Sequence, residues 1–216
     1  AGAEHLAGLA TLFVDAARSR AKGGGLEARQ DFFDLRAVAR SVGDSLTGRA
    51  AAKGLQSRVR ISDRLPAFVT GDPVRLRAAL ENLIDNAVKF TSEGDVGLRV
   101  TVARAAKGKI VATFAVSDSG IGLSMAEIKR LFRPFSQANV GIAARFGGAG
   151  LGLSSVKQLA RAMGGDIVVA SRRGGGAVFT LTVALKPAEA PVAASNGLDE
   201  ASHAAGGLRI LSVEDN

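Results

Sequence analysis

The sequence predicts an α/β (α+β) domain with a mixed sheet, and three observations carry that prediction. Gly71-Asp72-Pro73 announces a helix, with Asp as the N-cap and Pro at the first position, that runs to about Phe90. Two strand-like stretches, 96–103 and 110–116, flank Ala106-Lys107-Gly108, and an antiparallel hairpin is their natural pairing. Two closing strands, 166–171 and 177–185, are joined by the turn Arg172-Arg173-Gly174-Gly175-Gly176.

The other elements follow in order. In 4–21 the apolar residues Leu6, Leu9, Ala10, Phe13 and Ala17 fall at helical spacing, with Asp15, Arg18 and Arg20 mostly on other faces. That helix ends at Lys22-Gly23-Gly24-Gly25, a run no helix interior tolerates cheaply. A second helix is expected over 34–52, and Gln56 to Ser62 alternates as a strand. Ser124 with Glu127 forms a capping box for a short helix through Leu131. The stretch 134–149 has no clean period and reads as a long loop, and loops of that length in a domain are usually functional or disordered. Helix returns over 150–163 and stops at Gly164-Gly165. The Ala-, Pro-, Ser- and Gly-rich stretch 187–207 is expected to be a flexible linker, and 208–213 reads as a buried strand running into Glu214-Asp215-Asn216.

Composition narrows the chemistry. The 216 residues are 47% hydrophobic and 22% charged, ordinary globular values. With no Cys, a disulfide scaffold, a Cys-ligated metal site and a thiol nucleophile are excluded, and His5 and His203 alone cannot build a multi-histidine centre. The net charge of +8 suits an anionic partner or a solvated basic surface. The absence of Trp and Tyr removes the usual stacking platforms, so nucleic acid is not expected as a partner. No apolar run approaches the ~18 residues of a membrane span, and the first residues carry no signal pattern. The expectation is a cytoplasmic piece of a longer protein, whose missing N-terminal sequence is free to hold a membrane anchor.

Three clusters suit nucleotide chemistry. At about 100° per residue, Leu76, Leu80, Leu83, Ile84 and Ala87 make a core face, while Asn82, Asn86 and Lys89 form a separate stripe. An Asn carbonyl oxygen is a neutral, hard ligand for Mg2+, and Lys supplies charge to phosphate oxygens. An outward polar stripe is also what any surface helix shows. Asp118-Ser119-Gly120-Ile121-Gly122 lies where a strand meets a loop; its carboxylate can accept from an exocyclic amine while Gly120 and Gly122 admit a planar ring, and it equally suits a turn. Gly147-Gly148-Ala149-Gly150-Leu151-Gly152-Leu153 opens into a helix, where exposed N–H groups cradle anions. It lacks the GKS or GKT of a P-loop and the strand context of a Rossmann turn.

In chain order, Asn82-xxx-Asn86-xx-Lys89-Phe90-Thr91, Asp118-x-Gly120-x-Gly122, Leu131-Phe132-Arg133-Pro134-Phe135-Ser136-Gln137 and Gly148-Ala149-Gly150-Leu151-Gly152-Leu153 resemble the N, G1, F and G2 boxes of sensor histidine kinases. These belong to the GHKL superfamily, shared with gyrase, a heat-shock chaperone and mismatch-repair ATPases. The similarity spans 33–185, including FDLRAVARSV and GDPVRLRAALENLIDNAVKFT. It implies a two-layer sandwich of the Bergerat type, with about five strands, helices on one face and an ATP lid over 137–149. On that resemblance Asp118 reads adenine with Gly120 and Gly122, Asn86 carries Mg2+, and Asn82 and Lys89 lie along the phosphates. Gly148, Gly150, Leu151, Gly152 and Leu153 complete the cradle, Arg145 reaches the terminal phosphate, and Phe132 and Phe135 anchor the lid hinge.

The same resemblance divides the chain into 1–22, the second helix of a dimerisation hairpin; 33–186, the catalytic domain; 187–207, the linker; and 208–216, the first strand of a receiver domain with its acidic pair Glu214-Asp215. The implied function is transfer of the terminal phosphate of ATP to a histidine on a dimerisation domain, in a hybrid kinase with a receiver domain or response regulator as partner. No acceptor motif is recognisable, and His5 lacks the Arg and Pro that follow the family's acceptor. Two positions depart from the family: Ala149 replaces the usual Thr or Ser, and Arg133 the common Glu. The alternatives are a non-catalytic signalling scaffold and an ATPase, the latter needing Glu81 as the base.

Overall fold

A computed structural model of the protein describes residues 29–130 and 152–189. Seven strands and four helices alternate there: β1 (Asp31–Asp34), α1 (Leu35–Ala52), β2 (Gln56–Ile61), β3 (Phe68–Gly71), α2 (Pro73–Phe90), β4 (Asp95–Arg104), β5 (Ile110–Asp118), α3 (Met125–Arg130), α4 (Gly152–Ala162), β6 (Asp166–Ser171) and β7 (Ala177–Ala188). The helix expected at 4–21, the long loop and the stretch 208–216 lie outside the described residues.

The helix boundaries follow from local chemistry. Asp34 accepts the Ala37 N–H at 2.8 Å and opens α1. Asp72, almost fully buried, opens α2 by accepting the Arg75 N–H at 3.0 Å and the Arg29 N–H at 3.2 Å, with Pro73 in the first turn. Beyond the end of α1, the Lys53 ammonium donates to the Val88 and Lys89 carbonyls at 2.7 and 3.0 Å, satisfying acceptors that the end of α2 leaves open. An Asp72→Ala chain, which loses a buried cap, is expected to be less stable by about 1–2 kcal/mol. The urea midpoint should fall with its slope unchanged.

The strands form one mixed sheet in the order β1-β3-β7-β5-β4-β2. The β4–β5 hairpin pairs antiparallel from Val96↔Asp118 to Arg104↔Ile110, as its turn predicts. β7 lies antiparallel to β5 on one side; its other edge is shared, Ala177 to Thr182 with β6 and Lys186 to Ala188 with β3. Only β2 with β4 is parallel among the described strands. In β5 and β7 alternate residues are buried: Ile110, Ala112, Phe114 and Val116 on one, Ala177, Phe179, Leu181, Val183 and Leu185 on the other. This period of two gives the sheet one apolar face. Helices α1, α2 and α4 pack against it, and α2 is flanked by both α1 and α4. Leu76, Leu80, Leu83 and Ile84 are fully buried, the core face the sequence predicts.

The sheet has seven strands where about five are expected. The extra pair, β1 (DFFD) and β3 (FVTG), are four residues each, too short to show alternation. They exist because they pair with each other and with the end of β7, a contact far apart in sequence. β7 itself continues through Pro187 to Ala188, past the point where the linker is expected to begin.

Candidate nucleotide-binding site

Helix α2 and the loop after β5 meet at one end of the sheet. The Asn82 side chain is 8% exposed and Asn86 is half-buried, and the Asn86 Nδ2 donates to the Asn82 Oδ1 at 3.2 Å. The stripe is therefore not a wholly outer surface, and α4 packs beside α2. With its amide nitrogen turned to Asn82, Asn86 keeps its carbonyl oxygen for other partners, while the Asn82 oxygen already accepts one bond. One turn on, Lys89 is half-buried with its ammonium 5.7 Å from the centroid of the Phe90 ring. Thr91 ends the helix, its buried hydroxyl donating to the Ala87 carbonyl at 2.7 Å.

The loop 118–122 docks on that helix end. Ile121 N–H donates to the Phe90 carbonyl at 3.4 Å, and a side chain at Gly120 would collide with that same oxygen. Two clusters separated by some thirty residues in sequence are thereby joined.

Asp118 is 5% exposed and ends β5. Its Oδ1 accepts the Gly120 N–H at 2.9 Å and the Ala177 N–H at 3.3 Å, whereas Oδ2 has no hydrogen-bond partner among the described residues. One oxygen fixes the carboxylate and the other is open to a donor such as an exocyclic amine. Burial pushes the Asp118 carboxyl above the usual carboxylate range. The two backbone N–H groups and the Arg172 guanidinium pull it down, and Asp95 pushes it up. A ligand held by the ionised form is lost on acidification, at a higher pH than an ordinary aspartate would give.

Asp95, Arg172 and Gly176 also belong to this site, and no nucleotide motif in the sequence points to them; Ser119 lies inside the 118–122 cluster, but its own role was not legible there. Arg172, at the start of the β6–β7 turn, donates through both terminal nitrogens to the Asp95 carboxylate at 2.9 and 3.1 Å. Asp95 also binds Ser119 through its own backbone. The visible signal was Arg172-Arg173-Gly174-Gly175-Gly176, which reads only as a turn; the partner Asp95 lies 77 residues away.

Glu81 stands elsewhere. Its carboxylate accepts from the Ser45 hydroxyl at 3.0 Å and from Arg49 at 2.7 Å, on the α1 side of α2, so the rotation that a base at this position requires would break both bonds. Leu153 is half-buried against the core in α4, which Gly152 opens. Phe132, Phe135, Arg145, Gly148, Gly150 and Leu151, with Arg133 and Ala149, lie outside the described residues. Among the described residues no three His, Asp or Glu groups form a metal cluster, and no helix is long and apolar enough to cross a membrane.

A mixed sheet with helices on one face, and a buried carboxylate, an amide pair and a lysine converging at one end, define an ATP-binding α/β domain. Residues 71–187, more than half the chain, match the profile of the histidine kinase-, DNA gyrase B- and HSP90-like ATPases, and the chain belongs to that family. It is 38% identical over 152 residues to the sensory/regulatory protein RpfC of Xanthomonas campestris pv. campestris, covering 70% of this chain and 21% of that protein. To the signal transduction histidine-protein kinase BarA of Escherichia coli it is 34% identical over 135 residues, 62% of this chain and 15% of that one. The chain thus spans between about a seventh and a fifth of the length of the curated relatives it matches. Among solved structures, full-length ShkA in complex with AMPPNP superposes with a TM-score of 0.66 at 32% identity, covering 85% of this chain and 37% of that one. The mycobacterial sensor histidine kinase MprB shares the fold, with a TM-score of 0.56 at 23% identity over 74% of this chain and 99% of that one.

Proposed function

We propose that this chain is the catalytic part of a sensor histidine kinase that transfers the terminal phosphoryl group of Mg-ATP to a histidine on a separate dimerisation domain. The observation that carries the reading is Asp118, a buried carboxylate with one oxygen fixed by two backbone N–H groups and the other open.

In this reading Asp118 Oδ2 accepts the adenine amine, and the glycines of the loop let the ring approach the backbone. Asn86 would hold Mg2+ through its side-chain carbonyl oxygen, and the ion would supply neutralisation of phosphate charge. Lys89 adds a positive charge beside the phosphates. Arg145, Gly148, Gly150, Leu151, Gly152 and Leu153 provide the remaining phosphate contacts, and Phe132 and Phe135 the hinge of the lid.

Phosphoryl transfer asks the protein for positioning more than for covalent help. The imidazole lone pair forms the new P–N bond as the bond between the terminal phosphorus and ADP breaks, and ADP leaves with the electron pair. Hydrolysis would compete if a base activated water. The amide Asn82 is a poor base, and Glu81 is held by Ser45 and Arg49, so the site suits retention of ATP for transfer. A receiver domain or response regulator then accepts the phosphoryl group, and the working compartment is the cytoplasm.

The test is incubation of the chain with ATP labelled in its terminal phosphate and a histidine-bearing hairpin from a relative of this family. The reading expects label on the hairpin in an acid-labile, base-stable linkage, as a phosphoramidate requires. Release of inorganic phosphate with an unlabelled hairpin would favour the ATPase alternative, and nucleotide binding with neither product would favour a scaffold.

A further inference from the structure

We infer that the Arg172–Asp95 ion pair is a positioning device for the nucleotide base, clamping the two chain segments that hold Asp118 and so fixing where its open oxygen points. This rests on the reading of Asp118 as the base contact.

Asp118 is held from two sides. On one side its chain continues into Ser119, whose N–H donates to the Asp95 carbonyl at 3.0 Å and whose hydroxyl accepts the Asp95 N–H at 2.8 Å. On the other, the first residue of β7, Ala177, donates its N–H to Asp118 Oδ1. Ala177 is delivered by the β6–β7 turn, which closes through Arg172 N–H to the Gly176 carbonyl at 3.0 Å and Gly175 N–H to the Arg172 carbonyl at 3.2 Å. The Arg172 guanidinium, at the end of a side chain that is one-third exposed, fastens that turn to the Asp95 carboxylate with two parallel bonds. One residue of β4 therefore controls both segments, through its backbone on one and its carboxylate on the other.

The turn is also seated on the loop itself. Gly122 and Gly176 approach backbone to backbone, and the Ser171 hydroxyl donates to the Leu123 carbonyl at 2.9 Å. A bidentate guanidinium–carboxylate pair fixes angle as well as distance, which a lysine at the same place does not. The charges bearing on Asp118 among the described residues are Arg172 and Asp95. Loss of Arg172 removes the attractive one and leaves the repulsive one unpaired.

The test uses the whole chain with Arg172→Ala, and Arg172→Lys as the conservative control. Two readouts are taken: affinity for AMPPNP at neutral pH, and the titration midpoint of the Asp118 carboxyl by carbon-detected NMR without nucleotide. The inference expects Arg172→Ala to weaken affinity about tenfold, equal to ~1.4 kcal/mol, and to move the Asp118 midpoint to higher pH. Arg172→Lys should restore the midpoint more fully than the affinity, because it returns the charge without the fork. A lower melting temperature with midpoint and affinity both unchanged would overturn the inference and make the pair purely structural. If the parent chain binds no nucleotide while the midpoint still moves, the base-contact reading fails and the coupling of Arg172 to Asp118 stands.

Discussion

An Asp118→Asn chain is expected to bind ATP at least ten- to a hundredfold more weakly than the parent, while remaining as stable at neutral pH or becoming more so. The affinity loss follows from replacing an ionised acceptor by an amide at a buried site, where hydrogen bonds to charged groups contribute roughly 1.5–3 kcal/mol. The stability follows from the direction in which the carboxyl is shifted. Burial holds the folded-state titration of Asp118 above the ordinary value for an aspartate, so the folded chain binds that proton more tightly than the unfolded chain. The resulting stabilisation is present at low pH and is lost as pH rises through the raised value. At neutral pH the ionised group is a burden on the fold. Asparagine removes that burden and still offers a carbonyl oxygen to the Gly120 and Ala177 N–H groups. Melting curves at acidic and neutral pH read both consequences: the parent should lose stability across that window and the variant should lose less. A variant that unfolded at neutral pH would show that Asp118 is a structural residue first.

A Gly176→Ala chain is expected to lose about 2–4 kcal/mol of stability and, with it, nucleotide affinity. Gly176 has φ +87, a conformation that side-chain-bearing residues rarely adopt, and a Cβ there would collide with the Asp118 carbonyl oxygen. The collision is with backbone, which cannot move aside without shifting the carboxylate. Gly174, two residues earlier in the same turn with φ +90, has nothing within 4 Å of its would-be Cβ. Gly174→Ala should then cost only the conformational strain, about 1–2 kcal/mol. The difference between the two variants, from denaturant midpoints, isolates the close approach to Asp118 from the strain of the turn.

What the sequence made legible was local. The cap at Asp72, the hairpin about Ala106-Lys107-Gly108 and the core face of α2 each depend on residues a few positions apart, and each stands in the structure as expected. The capping box is there too, with Ser124 N–H and hydroxyl both on Glu127. The boxes carried Asp118, Gly120, Asn82 and Asn86 because their spacing is a family pattern. What stayed hidden depends on distance along the chain. β3 is a strand only because the end of β7 reaches it, and β1 because it pairs with β3, and Asp95 and Arg172 meet only after β4 and the β6–β7 turn are placed at one end of the sheet. The burial of Asn82 stayed hidden for the same reason: helical periodicity shows which side of α2 is apolar, but not that a residue of the polar stripe is buried once the chain is folded.

Calorimetric titration of the chain with AMPPNP and Mg2+, beside the guanine analogue, tests the central claim most directly. The account predicts one adenine nucleotide bound per chain, with weaker binding of the guanine form, because guanine presents a carbonyl where adenine presents its amine and carries its own donors, N1–H and the 2-amino group, at other positions of the ring edge. A folded chain that bound neither nucleotide, or both equally, would contradict it.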